Sequence, residues 1–331
     1  MSNPKLPPEP SSGNYFQIRT FDKVVADGLN TKPRRKIAGA FLYEDSTTYL
    51  FSRTNYGKSL LVFQFAYAAA TGTSIAAGSA LKNECGPMKV LVVDLELDAR
   101  DLAERHGKVL NKMNPKHYKN LNYLHEKMSE AVVVGFELLD KIERAAVDHK
   151  ARLVIIDNIS KLLPDSLNAE TVTMVISTLN RIRKKTGATI LVIGHTTKGN
   201  MKIAIQPTDY YGSAMLQNFF SELSFLDATK DGSYFLCHSK TKHKECYTHT
   251  VPVFTRGNHS EIGIGFSFVS LQPLADIQLP PGKISSNALR KRSLSQFRKE
   301  VFILDNAGIK RTTIAAMCNV DRSTVFRLFD S

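Results

Sequence analysis

Residues 52–59, with the sequence Ser-Arg-Thr-Asn-Tyr-Gly-Lys-Ser, have the spacing of a phosphate-binding loop. An apolar stretch precedes them, and an alanine-rich stretch with helical character follows. In a G-x-x-x-x-G-K-[ST] loop, backbone N–H groups at a helix N-terminus surround a phosphate, the lysine contacts the β- and γ-phosphates, and the hydroxyl ligates Mg²⁺. The sequence therefore predicts a loop that binds ATP and Mg²⁺ through Thr54, Asn55, Tyr56, Gly57, Lys58, Ser59 and Leu60.

Ser52 stands at the position that usually carries the first glycine of this motif. If that position requires a positive φ, serine costs roughly 1 kcal/mol there. A chance Gly-Lys-Ser sequence in an ordinary turn is the alternative interpretation. The order of strand, loop and helix favours nucleotide binding.

Two acidic residues follow predicted strands and would complete a hydrolytic site. Asp157 ends the β-rich segment 152–157, the Walker B arrangement in which an aspartate holds Mg²⁺ through water, so Ser59 and Asp157 are the predicted metal site. Because Asn158 and not a glutamate follows Asp157, the group that activates the attacking water must come from elsewhere. Glu96, at the end of the segment 89–96, is the predicted group; the alternative is a surface acid paired with Arg100 at i+4.

The apolar runs alternate with amphipathic helical patterns, which predicts an α/β fold with a mostly parallel sheet flanked by helices. The predicted strands are 48–51, 89–94, 121–124, 152–157 and 188–194, and the predicted helices are 58–70, 99–113, 136–150, 169–186 and 213–221. A strand-rich region follows at 223–226, 234–239, 248–254 and 263–271, and antiparallel strands there would complete one edge of the sheet. We expect a disordered or extended arm at 1–35, in which residues 1–14 are disordered and residues 15–36 form a short helix or an extended lead-in. A core domain at 36–271, a proline-rich linker at 272–288 and a small helical unit at 289–331 would follow.

The formal net charge of +13 predicts an anionic partner, and nucleic acid fits best. Four cysteines without regular spacing favour a reduced, cytoplasmic protein. The proline- and serine-rich start lacks the apolar segment of a signal peptide, and the apolar run after residue 59 is better explained by a buried helix than by a membrane span. A zinc site would have to use Cys237, His238, His243, Cys246 and His249, whose spacing fits no standard site.

Residues 312–328 resemble a helix-turn-helix, with a helix at 312–318, a turn at Asn319 and a second helix from about residue 322. A helix at 294–306 would complete a three-helix bundle. The exposed face of the second helix would carry residues that reach phosphates and base edges of duplex DNA, namely Arg322, Ser323, Thr324 and Arg327. A small bundle that contacts only protein is the alternative.

Four segments together resemble the RecA-like ATPases, and in particular the RepA-type hexameric helicases of plasmids and mobile elements. The segments are 52–59, 90–96, 155–157 and 190–198. The resemblance implies ATP hydrolysis with Mg²⁺ in a homo-oligomer, for which a hexamer is one form. It also implies that His195 or Thr196 senses the γ-phosphate, and that residues 211–216 lie near DNA-facing loops.

In that family, basic fingers reach the ATP of a neighbouring subunit, and the resemblance implies this role for Lys240 and Lys242. The usual second finger is arginine, whereas Lys242 lacks the bidentate fork. A single DNA strand would lie in a central channel lined by basic loops that include residues 198–202 and Lys230. The alternative function is an ATP-controlled DNA-binding regulator of replication, transposition or transcription without unwinding activity.

Overall fold

The computed structural model describes residues 18–74, 79–110, 119–125, 136–163, 169–196, 204–206, 209–211, 214–243, 245–259, 262–279, 301–302, 305, 310–317 and 322–329. The chain divides into two compact units, Met1–Arg34 and Arg35–Ser331. The first unit contains the helix α1 (Phe21–Asn30), none of whose residues is buried. This helix lies in the segment 15–36, for which a short helix or an extended lead-in was expected, and residues 1–17 lie outside the described residues.

One sheet organises the second unit, with the strand order β3-β2-β4-β5-β1-β6-β7-β8-β9. Neighbouring strands from β3 to β6 are parallel, and those from β6 to β9 are antiparallel. The strands are β1 (Thr47–Ser52), β2 (Val90–Asp94), β3 (Leu121–His125), β4 (Leu153–Asp157), β5 (Thr189–His195), β6 (Glu222–Ala228), β7 (Tyr234–Lys240), β8 (Thr250–His259) and β9 (Gly263–Pro273). The predicted α/β class with antiparallel edge strands is confirmed. β6 itself, however, runs parallel to β1, because the connection that contains α6 carries the chain across β1.

In the described ranges, the second unit has helices between the successive strands β1 to β6 and after β9. They are α2 (Lys58–Thr71), α3 (Ala99–Leu110), α4 (Phe136–Asp148), α5 (Ala169–Thr186), α6 (Ala214–Phe219), α7 (Leu274–Ile277), α8 (Arg311–Met317) and α9 (Arg322–Phe326). Short 3₁₀ turns lie at Ser79–Leu81 and Ile159–Lys161. None of the helices in the described ranges is long and apolar enough to cross a membrane.

The core has two layers because successive strand residues point to opposite faces of the sheet. In β4, Val154 and Ile156 pack into one apolar cluster with α4 and α5, and Leu153 and Ile155 pack into a second cluster with α2. Strands buried on both faces read as continuous apolar runs. The same burial explains the apolar sequence of α2, which is enclosed on nearly all sides.

The β8–β9 hairpin contacts α2 and reaches the region behind the phosphate-binding loop. The Gln64 side chain donates from Nε2 to the Phe266 carbonyl (2.9 Å) and accepts from the Phe266 N–H at Oε1 (2.8 Å). Farther along α2, Phe63 and Tyr67 cluster with Ile262. These contacts fix β9 against the helix that starts at the loop.

The structured part of the second unit extends past residue 271, where the linker was expected to begin. β9 continues to Pro273, α7 follows, and the side chain of Ile277 is buried in the core. The apolar residues of α7 therefore attach the first part of this segment to the sheet. Beyond it, residues 280–288 lie outside the described residues.

Near the C-terminus, α8 and α9 match two of the helices expected for a helix-turn-helix. Arg311 pairs with Asp305 (3.0 Å) and lies 3.7 Å above the ring of Phe329. The turn at residues 318–321 and most of the expected helix 294–306 lie outside the described residues, so the helix-turn-helix remains a prediction.

Candidate active site

The carboxyl ends of four parallel strands bring the predicted site residues to one edge of the sheet. Ser52, the last residue of β1, lies opposite His195 of β5. Asp94 at the end of β2 lies opposite Asp157 at the end of β4. This edge is where open α/β sheets bind ligands.

The phosphate-binding loop leaves β1 and enters α2 through two left-handed residues, Asn55 (φ 68°) and Gly57 (φ 87°). Ser52 is not one of them, because it is the final residue of a buried strand. The cost considered for serine at this position therefore does not arise. The left-handed conformation falls instead on an asparagine, which tolerates it, and on a glycine.

Gly57 is constrained by its neighbour as well as by its φ. A Cβ atom at this position would lie 2.8 Å from Cζ of Phe266, a residue of the β9 strand. The loop conformation therefore depends on a residue far away in the sequence. Glycine satisfies both the backbone and the packing requirement.

Replacing Gly57 with alanine should weaken ATP binding about five- to thirtyfold, because a non-glycine residue in this conformation costs about 1–2 kcal/mol. Calorimetric titration with ATP measures the change. Gly28→Ala serves as the control, since a Cβ there meets no atom within 4 Å. Unchanged ATP affinity in Gly57→Ala would show that the loop conformation is not the binding conformation.

Lys58 is buried at the start of α2 and points back into its own loop. Its Nζ donates to the carbonyl oxygens of Arg53 (3.0 Å) and Ser52 (3.3 Å). Burial lowers the pKa of Lys58 to about 8, and the charges of Asp157 and Glu96 oppose that shift. The ammonium group is thus desolvated and held by two weak acceptors that a phosphate would replace.

The Asp157 carboxylate is 4% exposed and lies among other acids. Burial raises its pKa to about 6, and Glu96 and Asp94 add to this effect, whereas a hydrogen bond from the Ser59 hydroxyl and the charge of Lys58 oppose it. Among the described residues, Asp157 Oδ1 has no hydrogen-bond partner. A buried carboxylate oxygen without a partner, next to a serine hydroxyl, fits a hard cation such as Mg²⁺.

Glu96, Asn158 and His195 form one polar cluster beside Asp157. Asn158 Nδ2 donates to Glu96 Oε1 and lies 2.8 Å from His195 Nε2, which in turn lies 3.2 Å from Glu96 Oε1. Asn158 Oδ1 accepts from the N–H of Ser160 (2.8 Å), which orients the amide group toward Glu96. The Glu96 carboxylate therefore faces the site, while the alternative partner Arg100 pairs with Glu104 at 3.3 Å.

Asp94 fixes the turn that presents Glu96. Its Oδ1 accepts from the backbone N–H groups of Glu96 (3.1 Å) and Leu97 (2.9 Å). Sequence reasoning did not assign a role to Asp94 or to the Asn158 amide. An aspartate at the end of a strand is, however, a residue type that forms such an Asx turn with the backbone two residues on.

A buried ion pair connects the loop to the strand on the other side of β1. Arg53 Nη1 lies 2.8 Å from Asp227 Oδ1, and both side chains are buried. Asp227 also accepts from the N–H groups of Ile205 (3.1 Å) and Ala228 (3.0 Å). The pair was not expected from sequence, because its members lie 174 residues apart.

With this geometry established, the comparisons with known proteins identify the family. Residues 17–201 match a family described as an AAA domain, and this match covers more than half of the 331 residues. The chain belongs to the AAA domain family. Together with the sheet order and the loop, this makes the protein a RecA-like P-loop ATPase, a type that generally binds ATP with Mg²⁺.

Among solved structures, a KaiC-like protein from the hyperthermophilic archaeon Pyrococcus horikoshii OT3 is similar to this AAA protein. The sequence identity is 17% and the TM-score is 0.49, over 71% of this chain and 99% of the archaeal chain. No curated protein sequence matches the chain.

Most of the remaining predicted residues of the AAA protein lie apart from the cluster of Glu96, Asn158 and His195. Thr196 is next to it, and its N–H donates to the Ser52 carbonyl (3.1 Å). Lys240 donates from Nζ to the Gln217 carbonyl (2.9 Å), whereas the Lys242 residue is exposed. Lys230 donates to the Asp276 carbonyl (3.2 Å) and so attaches the β6–β7 turn to α7. Residues 198–202, expected to contact DNA, lie outside the described residues.

The residues of the zinc alternative take other roles. His238 is buried, and its Nε2 donates to the Ala40 carbonyl (3.1 Å) while Nδ1 accepts from the Tyr247 N–H (3.0 Å). Burial lowers the pKa of His238 to about 4, so the ring is neutral. In the ranges that the structure describes, no group of three or more His, Cys, Asp or Glu residues is placed to hold a metal ion.

Proposed function

We propose that this AAA protein hydrolyses ATP as a DNA-associated oligomer that resembles RepA-type hexameric helicases. The observation that carries the hydrolytic part is the buried Asp157 carboxylate, whose unpartnered oxygen lies beside Ser59 and Lys58 and next to the Glu96–Asn158–His195 cluster. A charge that is buried at an energetic cost is typical of a functional site.

In the proposed mechanism, backbone N–H groups of residues 54–60 bind the phosphates at the N-terminus of α2. Lys58 exchanges its contacts with two loop carbonyls for the β- and γ-phosphates. Ser59 and Asp157 would hold Mg²⁺, which when bound neutralises charge on the phosphate oxygens. Glu96 accepts a proton from the attacking water, and Asn158 positions the Glu96 carboxylate.

The contact between Glu96 and His195 would link the base to the γ-phosphate, if His195 binds that phosphate. His195 lies at the end of β5, next to Ser52 in the sheet. A phosphate near the loop would compete for the imidazole and release the Glu96 carboxylate toward the water. His195 is therefore proposed as the sensor, with Thr196 holding the end of β5 to the loop.

The oligomer is supported by the positions of the two proposed fingers. Lys240 pairs with Leu223 at the start of β6. It therefore lies where the parallel strands begin, whereas the phosphate-binding loop lies where they end. A head-to-tail ring joins two different surfaces of identical subunits, and it would bring this edge toward a neighbour's nucleotide. Lys242 is exposed and would reach farther than Lys240, whose ammonium group contacts its own α6.

The proposed DNA association is supported by charge and by α9. The chain carries a net charge of +13, and Arg322, Ser323 and Arg327 are exposed at or just after this helix. Thr324 is assigned to the same helix. Duplex DNA would contact this surface, and a single strand would contact the core through basic loops.

Replacing Arg322 and Arg327 with glutamine should weaken duplex binding about tenfold and lower the magnitude of the salt slope by about 2, because each phosphate contact contributes about 0.9. Fluorescence anisotropy with a labelled duplex across a NaCl series measures both values. The control is Arg100→Gln with Arg144→Gln, which removes two exposed charges elsewhere. Equal losses in the two double variants would contradict a DNA contact by α9.

The second candidate function, an ATP-controlled regulator without unwinding activity, is favoured by the same exposed arginines, since a replicative motor does not need duplex recognition. The two functions differ in the response to single strands. A helicase displaces a labelled strand from a partial duplex during ATP hydrolysis. A regulator binds duplex DNA in an ATP-dependent way and displaces no strand.

A further inference from the structure

A basic cavity lies at the edge of the sheet opposite to the nucleotide site. Its volume is about 370 Å³, and its charged lining residues are Arg35, Glu44, Lys89, Lys150 and Arg152. We call it the basic cleft. The two lysines and two arginines come from three separate segments of the second unit, and none of them belongs to the phosphate-binding loop.

Backbone contacts hold the basic residues in a row along the starts of neighbouring strands. The Lys89 carbonyl, just before β2, accepts from the Arg152 N–H (2.8 Å), just before β4. The Arg152 carbonyl then accepts from the N–H of Thr189, the first residue of β5 (2.9 Å). Lys150 lies in the same turn as Arg152, in a left-handed conformation (φ 51°). Parallel strands are about 4.8 Å apart, so cations at successive strand starts are closely spaced.

The charges of the basic cleft are only partly balanced. Arg35 pairs with Glu44, at 2.8 Å from Nη2 to Oε2. Hydrogen bonds from Arg35, and to a smaller extent the charge of Arg152, hold the pKa of Glu44 below its ordinary value. Four cations and one carboxylate leave a net charge of +3 in the cavity. The side chains of Lys89, Lys150 and Arg152 belong to exposed residues, so they can reach a ligand.

The rest of the lining indicates what kind of anion fits. Pro87 and Met88 stand beside the cations and add an apolar wall. Cations next to an apolar wall suit a phosphate that carries a sugar, and a row of cations suits a chain of phosphates. A volume of about 370 Å³ lies in the usual range of ligand sites.

We infer that the basic cleft binds the phosphodiester backbone of a nucleic acid, at a site separate from the nucleotide site. The inference rests on the proposed DNA association but not on ATP hydrolysis. The strands β2, β4 and β5 begin at the cleft and end at the nucleotide site. A nucleic acid in the cleft would therefore contact the starts of the strands whose other ends carry Asp94, Asp157 and His195.

The test uses the full chain with Lys89→Gln, Lys150→Gln and Arg152→Gln combined. Binding of labelled single-stranded and duplex oligonucleotides is measured by anisotropy across a NaCl series. We expect the affinity at low salt to fall at least about tenfold and the magnitude of the single-strand salt slope to fall by about 2, at about 0.7 for each lost contact. Affinity for ATP and the rate of hydrolysis without DNA should not change, because these side chains lie at the far edge of the sheet.

The matched control combines Arg100→Gln, Lys141→Gln and Arg144→Gln. It removes the same net charge from exposed residues that pair at i+4 with an acid. Equal DNA affinity and salt slope in the two triple variants would overturn the inference and leave DNA association intact. A loss of ATP affinity in the cleft variant would also overturn it, since the phosphate would then come from nucleotide. If the unaltered chain bound no DNA while hydrolysing ATP, the proposed DNA association and the inference would fail together.

Discussion

Replacing Glu96 with glutamine should lower the steady-state rate of ATP hydrolysis about a hundredfold to ten-thousandfold, the range expected for loss of a general base. Glutamine keeps the shape of the side chain and its contacts with Asn158 and His195, but it cannot accept the proton of the attacking water. ATP binding should therefore persist, and a bound nucleotide should accumulate. Hydrolysis rates and calorimetric titration with ATP measure the two effects separately.

The control for this variant is Glu104→Gln. Glu104 is exposed and pairs with Arg100, so its loss removes a nearby acid without touching the cluster. A Glu96→Gln protein that hydrolyses ATP at the unaltered rate would exclude Glu96 as the base. Asp94 would then be the next acid to consider, although it is already engaged by two backbone N–H groups.

Replacing Asp157 with asparagine should stabilise the nucleotide-free protein and impair it as an enzyme. The Asp157 carboxylate is buried beside Glu96 and Asp94, and burial raises its pKa to about 6 from an ordinary value of 3.8. This difference corresponds to roughly 2–3 kcal/mol of free energy of unfolding that a neutral side chain would recover at pH 7. Hydrolysis should fall about 10- to 100-fold, the usual effect of losing a group that holds a metal through water.

The pH dependence of this stabilisation has a defined sign. A carboxyl group with a raised pKa binds its proton more tightly in the folded protein than in the unfolded chain. Below pH 3.8 the carboxyl group is protonated in both states, and its burial costs the folded protein no stability through ionisation. This cost grows as the pH rises from 3.8 toward about 6, and it is constant above that value. The advantage of Asp157→Asn should accordingly be absent near pH 4 and complete above pH 6.

Urea unfolding of both proteins across this pH range measures the advantage. Asp140→Asn is the control, because Asp140 is an exposed acid paired with Arg144 on the surface of α4. If Asp157→Asn is less stable than the unaltered protein at pH 7, the buried Asp157 carboxylate does not destabilise the nucleotide-free protein.

Sequence patterns were sufficient to predict most of the sheet and the position of the loop. Long apolar runs marked the strands because they are buried on both faces. The predicted helix 58–70 corresponds to α2 (Lys58–Thr71), which the left-handed Gly72 (φ 76°) caps. The positions of Asp157 and Glu96 also followed from sequence, since Asp157 ends β4 and Glu96 lies two residues beyond the end of β2, and the two strands are parallel. Residues at such ends must meet at one edge of the sheet.

The contacts that refine the site were not predictable in this way. The ion pair between Arg53 and Asp227 and the packing of Phe266 against Gly57 join residues far apart in sequence. Their pairing depends on the strand order, which a single sequence does not give. The basic cleft is a further example, because its cations are scattered along the chain and meet only where the strands begin.

The most direct test is steady-state ATP hydrolysis by the full chain with Mg²⁺, measured alone, with single-stranded DNA and with duplex DNA, and with Glu96→Gln as the reference. We predict hydrolysis well above that of Glu96→Gln, with a marked increase when single strands are added. Hydrolysis no faster than that of Glu96→Gln under all three conditions would contradict the proposal that this site hydrolyses ATP in association with DNA.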